Sequence, residues 1–285
     1  MKEDGTVNRA ALPAIFNPED LNALEEALKI RDAHGGTVTV VTMGLPTACD
    51  VLREALYRGA DRAILVTDRR AAASDTLATS YILSRAIAKL KADIVLCGRQ
   101  AIDGDTAQVG PQLAEKMGLP LISYLEETVQ ITDGKITVRR NVGNGWEVVR
   151  ASLPVLVTVM DTANEPRPRA TKKIMKFKRA MAKSEVEKKA ENLLPGDFED
   201  YTEELKATEV EKYCGKLKDK GLLIEQVNLD QIEADLAWCG RDGSPTKVHR
   251  IQSVVLTGGE YHEFKATDED VAKLIHELIE EHTLG

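Results

Sequence analysis

Three consecutive pairs of a short apolar segment and a helical segment constrain the fold of this chain more than any other feature. The segments at 37–43, 62–67 and 93–98 are bounded by turn residues and have the β-branched, apolar character of strands. Each precedes a stretch with apolar residues at helical spacing, clearest at 75–90. This alternation predicts an α/β fold with a parallel doubly wound sheet, because parallel strands need crossover helices between them.

A further helix is predicted before the first of these strands. Asn17 suits the position before a helix, Pro18 the first helical position, and Gly35 the position after the end. No strand is predicted ahead of this helix, although such a helix normally returns the chain from one strand to the next. We therefore expect that the chain starts one strand late and that Met1 is an internal methionine. An added N-terminal strand is expected to raise stability, since an unpaired central position exposes backbone polar groups.

The pattern changes after residue 120, where apolar and polar residues alternate. Turn pairs at 133–134 and 144–145 separate these segments and predict an antiparallel meander attached to the parallel sheet. The remaining chain is irregular and charged, and a final amphipathic helix is predicted after Thr267. We divide the chain into an α/β domain at 1–163 and an extended, helical C-terminal arm at 164–285.

The composition limits the class of protein. Hydrophobic residues make up 43% and charged residues 29%, as in a soluble globular protein, and no apolar run approaches the roughly 18 residues that span a membrane. The formal charge of −8 argues against nucleic acid as a partner. The four cysteines stand far apart, without a CxxC or Cys/His cluster, so neither disulfides nor a metal site are expected. A cytoplasmic protein with reduced thiols fits these features.

The segment most informative about function follows the third strand and runs from Gly98 to Gln112. Ligands of open parallel sheets bind beyond the carboxyl ends of strands, and the free N–H groups of a helix start can hold phosphate. We expect the helix at about 105–117, with Gly104 and Gly110 permitting close backbone approach. The segment matches neither a Walker A loop nor GxGxxG. A nucleotide site and a plain strand–loop–helix turn capped by aspartate therefore both remain open.

Two further loops, at 42–46 and 68–76, leave the same edge of the predicted sheet. Each alone is more often a plain connection, but convergence of all three would form one ligand site. Asp103 and Asp105 repel phosphate and are expected to cap the helix or to meet ribose hydroxyls. An acid–base enzyme using these two carboxylates is the weakest alternative, because no nucleophile, base or metal set accompanies them.

Several segments together carry a resemblance to a known family. They are Asn17-Pro-Glu-Asp20, Val41-Thr-Met-Gly44, Gly59-Ala-Asp-Arg62, Gly98 to Gly110, Glu147 to Thr158, Asn164-Glu-Pro-Arg167, Ile174-Met-Lys176 and Gly243-Ser-Pro-Thr-Lys247. With them the chain resembles the beta subunit of electron transfer flavoproteins over most of residues 12–180 and 240–285.

The resemblance implies an electron-carrier subunit rather than a stand-alone enzyme. Its expected partners are an alpha subunit that carries the electron-transferring FAD, a flavin-dependent dehydrogenase and ferredoxin. Ordinary members hold AMP in the beta subunit, whereas electron-bifurcating members hold a second FAD that accepts hydride from NADH. Val66-Thr-Asp-Arg69 and the segment 75–80 resemble the bifurcating type, so FAD is favoured over AMP. A non-redox protein that senses adenine nucleotides is the alternative from another class.

Position by position, the resemblance also predicts the residues that hold the cofactor. The adenylate and pyrophosphate are expected to contact Asn17, Met43, Asp103, Gly104, Asp105, Thr106, Ala107, Gln108, Val109 and Gly110, with Gln112 nearby. A full FAD adds Thr42, Gly44 and Thr76. No catalytic residue and no metal ligand is predicted, because the flavin performs the redox chemistry.

The chain departs from the family in several places. The opening strand and the lysine-containing loop after it are absent, which removes one wall of the expected pocket. Residues 143–145 replace acidic residues, and 185–235 resembles an insertion. Thr171 stands where ordinary members present an apolar anchor to a dehydrogenase, so that docking mode is not expected to transfer. The basic stretch 167–179 around it is either a solvated face or a partner-binding arm.

Overall fold

The structure is a computed structural model that describes residues 14–190, 202–247 and 263–280. The described residues up to 247 belong to one compact unit, and residues 263–280 belong to another. In these ranges no helix is long and apolar enough to cross a membrane. The functional division between 163 and 164 stays a prediction.

The larger unit alternates strands and helices through its first half. Its helices are α1 (Pro18–His34), α2 (Cys49–Arg58), α3 (Thr76–Ala88), α4 (Val109–Met117), α5 (Thr171–Phe177), α6 (Lys183–Lys188), α7 (Glu203–Asp219) and the single turn α8 (Gly240–Gly243). Its strands are β1 (Thr39–Met43), β2 (Arg62–Val66), β3 (Ile94–Gly98), β4 (Leu121–Thr132), β5 (Lys135–Asn141), β6 (Trp146–Ser152), β7 (Val155–Val159) and β8 (Glu225–Val227). The smaller unit contributes α9 (Asp268–Glu280), the amphipathic helix predicted after Thr267.

The strands described here form two sheets. One sheet has the order β1-β2-β8 and is parallel throughout. The other has the order β3-β7-β4-β5-β6, in which β3, β7 and the start of β4 are parallel and the rest is antiparallel. This arrangement confirms the α/β class and the attached meander. The expected single parallel sheet is divided, since β1 and β3 each end their own sheet.

Strand β4 joins the parallel and antiparallel parts of the larger sheet. Its first residues pair with β7, and its later residues pair with β5 through a register that shifts twice. The predicted turn at 133–134 connects β4 to β5, and the turn at 143–145 connects β5 to β6. Strand β7 is buried along its whole length, because it lies between β3 and β4 with helices on the sheet.

Strand β8 was not predicted, since the C-terminal arm at 164–285 was expected to be helical. It is three residues long and pairs in parallel with β2 at Ile64 to Val66. A strand this short inside a charged segment shows no alternation of apolar and polar residues. It can therefore be recognised only from its pairing with β2 in the folded chain.

Helix α1 connects the cores of the two sheets. Leu24 and Leu28 pack in the cluster formed with α2 and β2, whereas Ala23 packs with β7 and the start of β4. Burial of a leucine side chain contributes about 1.5–3 kcal/mol. Two acids of the same helix, Glu25 and Glu26, are buried as well and accept hydrogen bonds from Arg167 and Asn164. Helix α1 therefore packs on β7 and holds the segment 164–167 that follows it through polar contacts.

The basic stretch 167–179 is fastened to the larger unit at its start. Arg167 pairs with Glu25 at 2.8 Å, and its carbonyl accepts a hydrogen bond from Arg58. Phe177 at the other end is buried, while Thr171 is exposed. The stretch is thus neither wholly solvated nor a free arm, and its use in partner binding stays a prediction.

Candidate functional site

The candidate site begins at the carboxyl edge of β3, where α1 meets the chain. A Cβ on Gly98 would lie 2.8 Å from the backbone nitrogen of Asp20, so only glycine allows this approach. The Gly98 N–H donates to Asp20 Oδ1 at 2.7 Å, and the Gln100 N–H donates to Glu19 Oε2 at 2.8 Å. The first turn of α1 therefore fixes where the loop 99–108 starts.

Asn17 occupies the predicted position before α1, but its side chain does not cap that helix. Asn17 Nδ2 donates to the Gln100 carbonyl at 2.9 Å, and Asn17 Oδ1 accepts from the Ile102 N–H at 3.1 Å. The capping expectation is therefore wrong for the side chain. Asn17 instead holds the loop 99–108 in shape, because its side chain bonds one carbonyl and one N–H group of the loop backbone.

Helix α4 starts at Val109 and not near residue 105 as predicted. Asp105 and Ala107 have positive φ angles of 49° and 53°, which a right-handed helix cannot contain. Turns in which residues with positive and negative φ follow one another can gather backbone N–H groups around an anion. Among the described residues, no acceptor contacts the N–H groups of 106–110. These amides are therefore available to a ligand. Those of 106–108 lie in the loop, and those of 109–110 lie in the first turn of α4.

Side chains from α3 and α4 meet beside these amides. Thr76 Oγ1 donates to Gln108 Oε1 at 2.9 Å, and Gln112 Nε2 donates to Thr76 Oγ1 at 3.4 Å. Gln112 Oε1 is buried and has no hydrogen-bond partner in the part of the chain that the structure describes. Two of the three predicted loops, those after β2 and β3, therefore converge and present an unused acceptor.

The two glycines of the loop have different roles. A Cβ on Gly110 would lie 2.8 Å from Thr158 Cγ2 and 3.1 Å from Cys97 Sγ. Gly110 is therefore needed for packing α4 onto β3 and β7, and not only for approach to a ligand as expected. A Cβ on Gly104 meets nothing within 4 Å, so this glycine leaves open space beside the loop.

The aspartates of the loop do not cap α4, contrary to one of the two expectations for them. Gln108 occupies the cap position and makes no side-chain cap bond. Asp105 instead accepts a hydrogen bond from Gln100 Nε2, within the same loop. Asp103 and Asp105 are both exposed, and their contact with hydroxyl groups of a ligand stays a prediction.

The third predicted loop, after β1, is less closely connected to the site. The Gly44 N–H donates to the Val66 carbonyl at 3.0 Å, which holds the end of β1 against β2. Met43 packs on the apolar cluster around Val66, and Thr42 is half-buried in β1. Within the described ranges no hydrogen bond joins these residues to 103–110. Contact of Thr42, Met43 and Gly44 with a ligand stays a prediction.

Several residues at this edge were missed from the sequence. Glu19 pairs with Arg99 at 2.9 Å, so a guanidinium directly follows β3 at the carboxyl edge. Burial raises the pKa of Asp20, although Gly98 and Asn17 donate hydrogen bonds to its carboxylate. Asp75 caps α3 by accepting from the Ala78 N–H at 2.9 Å. The sequence could have indicated these four residues, because each is a charged residue at the start of a predicted helix or after the end of a predicted strand.

The chemistry of these groups fits an adenine dinucleotide or nucleotide. The amides of 106–110 suit phosphate oxygens, Gln112 Oε1 suits an amine or hydroxyl donor, and the exposed aspartates suit ribose hydroxyls. Burial raises the pKa of the Cys97 thiol to about 12, which keeps it protonated at neutral pH. The described residues contain no cluster of His, Cys, Asp or Glu that would hold a metal ion. The amides, the side-chain oxygen of Gln112 and the carboxylates together suit the binding of a polar ligand that carries phosphate.

Comparison with known proteins gives one family. The model of the electron transfer flavoprotein domain matches residues 4–190. The electron transfer flavoprotein subunit beta of Clostridium acetobutylicum is 39% identical over 98% of this chain and 91% of its own length.

Two other relatives are more similar over a shorter part. The electron transfer flavoprotein subunit beta of Thermoanaerobacterium thermosaccharolyticum is 52% identical over 57% of this chain and 62% of its own length. The caffeyl-CoA reductase-Etf complex subunit CarD of Acetobacterium woodii is 49% identical over 57% of this chain and 63% of its own length. These two alignments thus cover less than two thirds of each relative.

Proposed function

Since this chain belongs to the electron transfer flavoprotein family and is of its beta-subunit type, we propose that it binds FAD at the carboxyl edge of β3 and relays electrons together with an alpha subunit. The observation that carries the proposal is the meeting of Thr76, Gln108 and Gln112 beside the amides of 106–110, which no acceptor among the described residues contacts. The name of one relative, a subunit of a caffeyl-CoA reductase-Etf complex, supports a dehydrogenase or reductase as a further partner.

The residues present have distinct parts in this binding. The amides of 106–110 hold the pyrophosphate, while Asp103 and Gln112 are placed for hydroxyl and amine groups of the adenylate. Asn17 keeps the loop in shape, and Met43 forms an apolar wall. Thr42, Gly44 and Thr76 contact the part of FAD beyond the adenylate. When bound, FAD supplies the redox chemistry, with hydride accepted from NADH and electrons leaving toward the alpha subunit, a flavin-dependent dehydrogenase and ferredoxin.

Counting nucleotides tests the proposal. The chain is co-expressed with an alpha-type subunit, and the purified complex is denatured and analysed for FAD and AMP. We expect two FAD per heterodimer and no AMP. One FAD with one AMP would support the ordinary type of subunit, and a complex whose only nucleotide is one FAD would refute nucleotide binding by this chain.

A pair of variants assigns the second nucleotide to this site. The double change Gln108→Ala with Gln112→Leu removes both amide side chains that contact Thr76, and we expect it to release one FAD per heterodimer. Gln130→Ala on β4 is the matched control, since Gln130 is exposed and far along the meander from β3. Retention of both FAD in the double variant would place the nucleotide elsewhere.

The bifurcating assignment needs a separate measurement. Under anaerobic conditions NADH is added to the heterodimer, and the flavin absorbance is followed. We expect bleaching by NADH in the wild type and none in the Gln108→Ala, Gln112→Leu variant. Absence of bleaching in a wild type that holds two FAD would contradict NADH as the donor, while leaving FAD binding intact.

A further inference from the structure

A segment far along the sequence packs on the loop that precedes α3. Gly240 in α8 has a φ of 64°, and a Cβ on it would lie 2.1 Å from the carbonyl oxygen of Arg70. The Gly240 N–H donates to Ser74 Oγ at 3.1 Å. The backbone of α8 is therefore seated directly on the loop 69–75, with a glycine at the closest point.

Two hydroxyl residues after α8 hold Asp75. Ser244 is 4% exposed, and its Oγ accepts from the Asp75 N–H at 2.8 Å while donating to the Gly240 carbonyl at 2.6 Å. Thr246 donates to Asp75 Oδ2 twice, from its N–H at 3.0 Å and from its Oγ1 at 2.6 Å. We call Asp75, Ser244 and Thr246 the clamp.

Thr246 bonds only one carboxylate oxygen of Asp75, and the other oxygen bonds the start of α3. Asp75 Oδ1 accepts from the Ala78 N–H, which caps α3. Burial raises the pKa of Asp75, but the hydrogen bonds from Ala78 and Thr246 together outweigh burial and lower it. The carboxylate is therefore charged at neutral pH, and hydrogen bonds to a charged acceptor are roughly twice as strong as neutral ones.

We infer that Ser244 and Thr246 are positioning residues of the cofactor site, because the clamp fixes the start of α3 and thereby places Thr76 Oγ1 between Gln108 and Gln112. Thr76 directly follows Asp75 in the chain, so a shift of the capping residue moves its hydroxyl. Ser244 and Thr246 lie outside residues 4–190 that the family model matches, within the segment 243–247 that resembles the family. This inference rests on the proposed function and adds to it a determinant supplied by the C-terminal half of the larger unit.

The clamp has a consequence for which nucleotide is bound. In the proposed binding mode, Thr76 contacts only the part of FAD beyond the adenylate, whereas AMP is held by the loop 103–110 and Gln112. Loosening the clamp should therefore weaken FAD binding selectively. A merely structural role of Ser244 and Thr246 would weaken FAD and AMP binding together.

Competition between the two nucleotides distinguishes these roles. The heterodimer is equilibrated with mixtures of FAD and AMP, and the bound nucleotides are counted in the wild type, Thr246→Val and Ser244→Ala. We expect the ratio of bound AMP to bound FAD at this site to rise about three- to tenfold in both variants. Thr246→Ser keeps the hydroxyl and should restore the wild-type ratio. Thr208→Val is the matched control, since among the described residues its hydroxyl bonds only the Glu204 carbonyl in α7.

Other results would contradict either the clamp or the proposed function. An unchanged ratio in both variants, or an equal loss of FAD and AMP, overturns the clamp as a positioning device. Melting temperatures of the same samples identify a variant that fails to fold, in which case the remaining variant and Thr246→Ser decide. A wild-type heterodimer without a nucleotide at this site contradicts the proposed function itself, so the two failures are separable.

Discussion

At the scale of single residues, the candidate site depends on groups whose role is visible only from their neighbours. Gly110 was expected to admit a ligand, and its actual constraint is the side chain of Thr158 behind it. Asn17 was expected to cap α1, and its amide instead pairs with the loop after β3. Residue type indicated both positions correctly. The partner could not be predicted, because it lies in another strand or loop that the chain reaches only after folding.

The close approach at Gly110 predicts a stability loss for Gly110→Ala. The added Cβ must displace Thr158 Cγ2 or Cys97 Sγ, and overpacking of this kind costs about 1–3 kcal/mol, more than the helix propensity gained from alanine. Urea unfolding measures the difference. Thr158→Ser removes the obstructing methyl and should recover part of the loss in the double variant. Gly104→Ala is the control, expected to stay within about 0.5 kcal/mol of wild type, and an equal loss in both variants would refute the packing argument.

Asp68 predicts a pH dependence of stability. The Arg70 side chain, followed by the N–H groups of Arg70 and Leu229, donates to its carboxylate and lowers the pKa of Asp68 from 3.8 to about 2. A lowered pKa means that the stabilisation is present above pH 3.8 and is lost as the pH falls toward about 2. Asp68→Asn should cost about 1–2 kcal/mol at pH 7.

The pH profile of the same variant gives the check. The difference in unfolding free energy between wild type and Asp68→Asn should be constant from about pH 7 to 5 and should narrow only below about pH 4. Asp219→Asn at the end of α7 serves as the comparison at a position away from this loop. A difference that already changes between neutral pH and pH 5 would assign the effect to another group.

At the scale of elements, the regular part of the fold follows from the sequence and the irregular part does not. Helix α3 and the meander β4–β6 were predicted because periodicity and turn residues act locally. The start of α4 was placed four residues too early. The composition of 105–108 suits a helix, but the positive φ angles at Asp105 and Ala107 delay the first helical residue to Val109. Strand β8 was missed, since its pairing with β2 is its only signal.

The attachment of α1 to the loop 99–108 predicts the behaviour of two Asn17 variants. Serine is as good an N-cap as asparagine, but it is too short to reach both the Gln100 carbonyl and the Ile102 N–H. We therefore expect Asn17→Ser to weaken nucleotide binding as much as Asn17→Ala, by about tenfold, which corresponds to roughly 1.4 kcal/mol. The measurement is the affinity of the heterodimer for AMP and FAD. Wild-type affinity in Asn17→Ser would show that Asn17 acts through its own helix instead.

At the scale of the whole molecule, the chain combines the larger α/β unit with a helix, α9, that exposes apolar side chains. In α9, Val271, Leu274, Ile275 and Ile279 are exposed and recur at helical spacing along one face. Exposed apolar side chains that form a continuous patch commonly mark a surface that another protein covers. Because the chain is a beta-type subunit of a two-subunit flavoprotein, the alpha subunit is the partner that we expect to cover this face.

Charged residues on the stripe of α9 test that expectation. Burying each leucine or isoleucine contributes about 1.5–3 kcal/mol, so Leu274→Glu with Ile275→Glu should lower the recovery of heterodimer at least tenfold when a tagged alpha subunit is captured. Lys273→Glu reverses a charge on the opposite face of the same helix and should leave recovery unchanged. The melting temperature of the beta chain alone should be the same in all three proteins, because none of these positions contributes to the clusters around α1, β2 and β7. Full recovery of the Leu274→Glu, Ile275→Glu variant would mean that the alpha subunit binds another surface and that α9 covers its stripe in a different way.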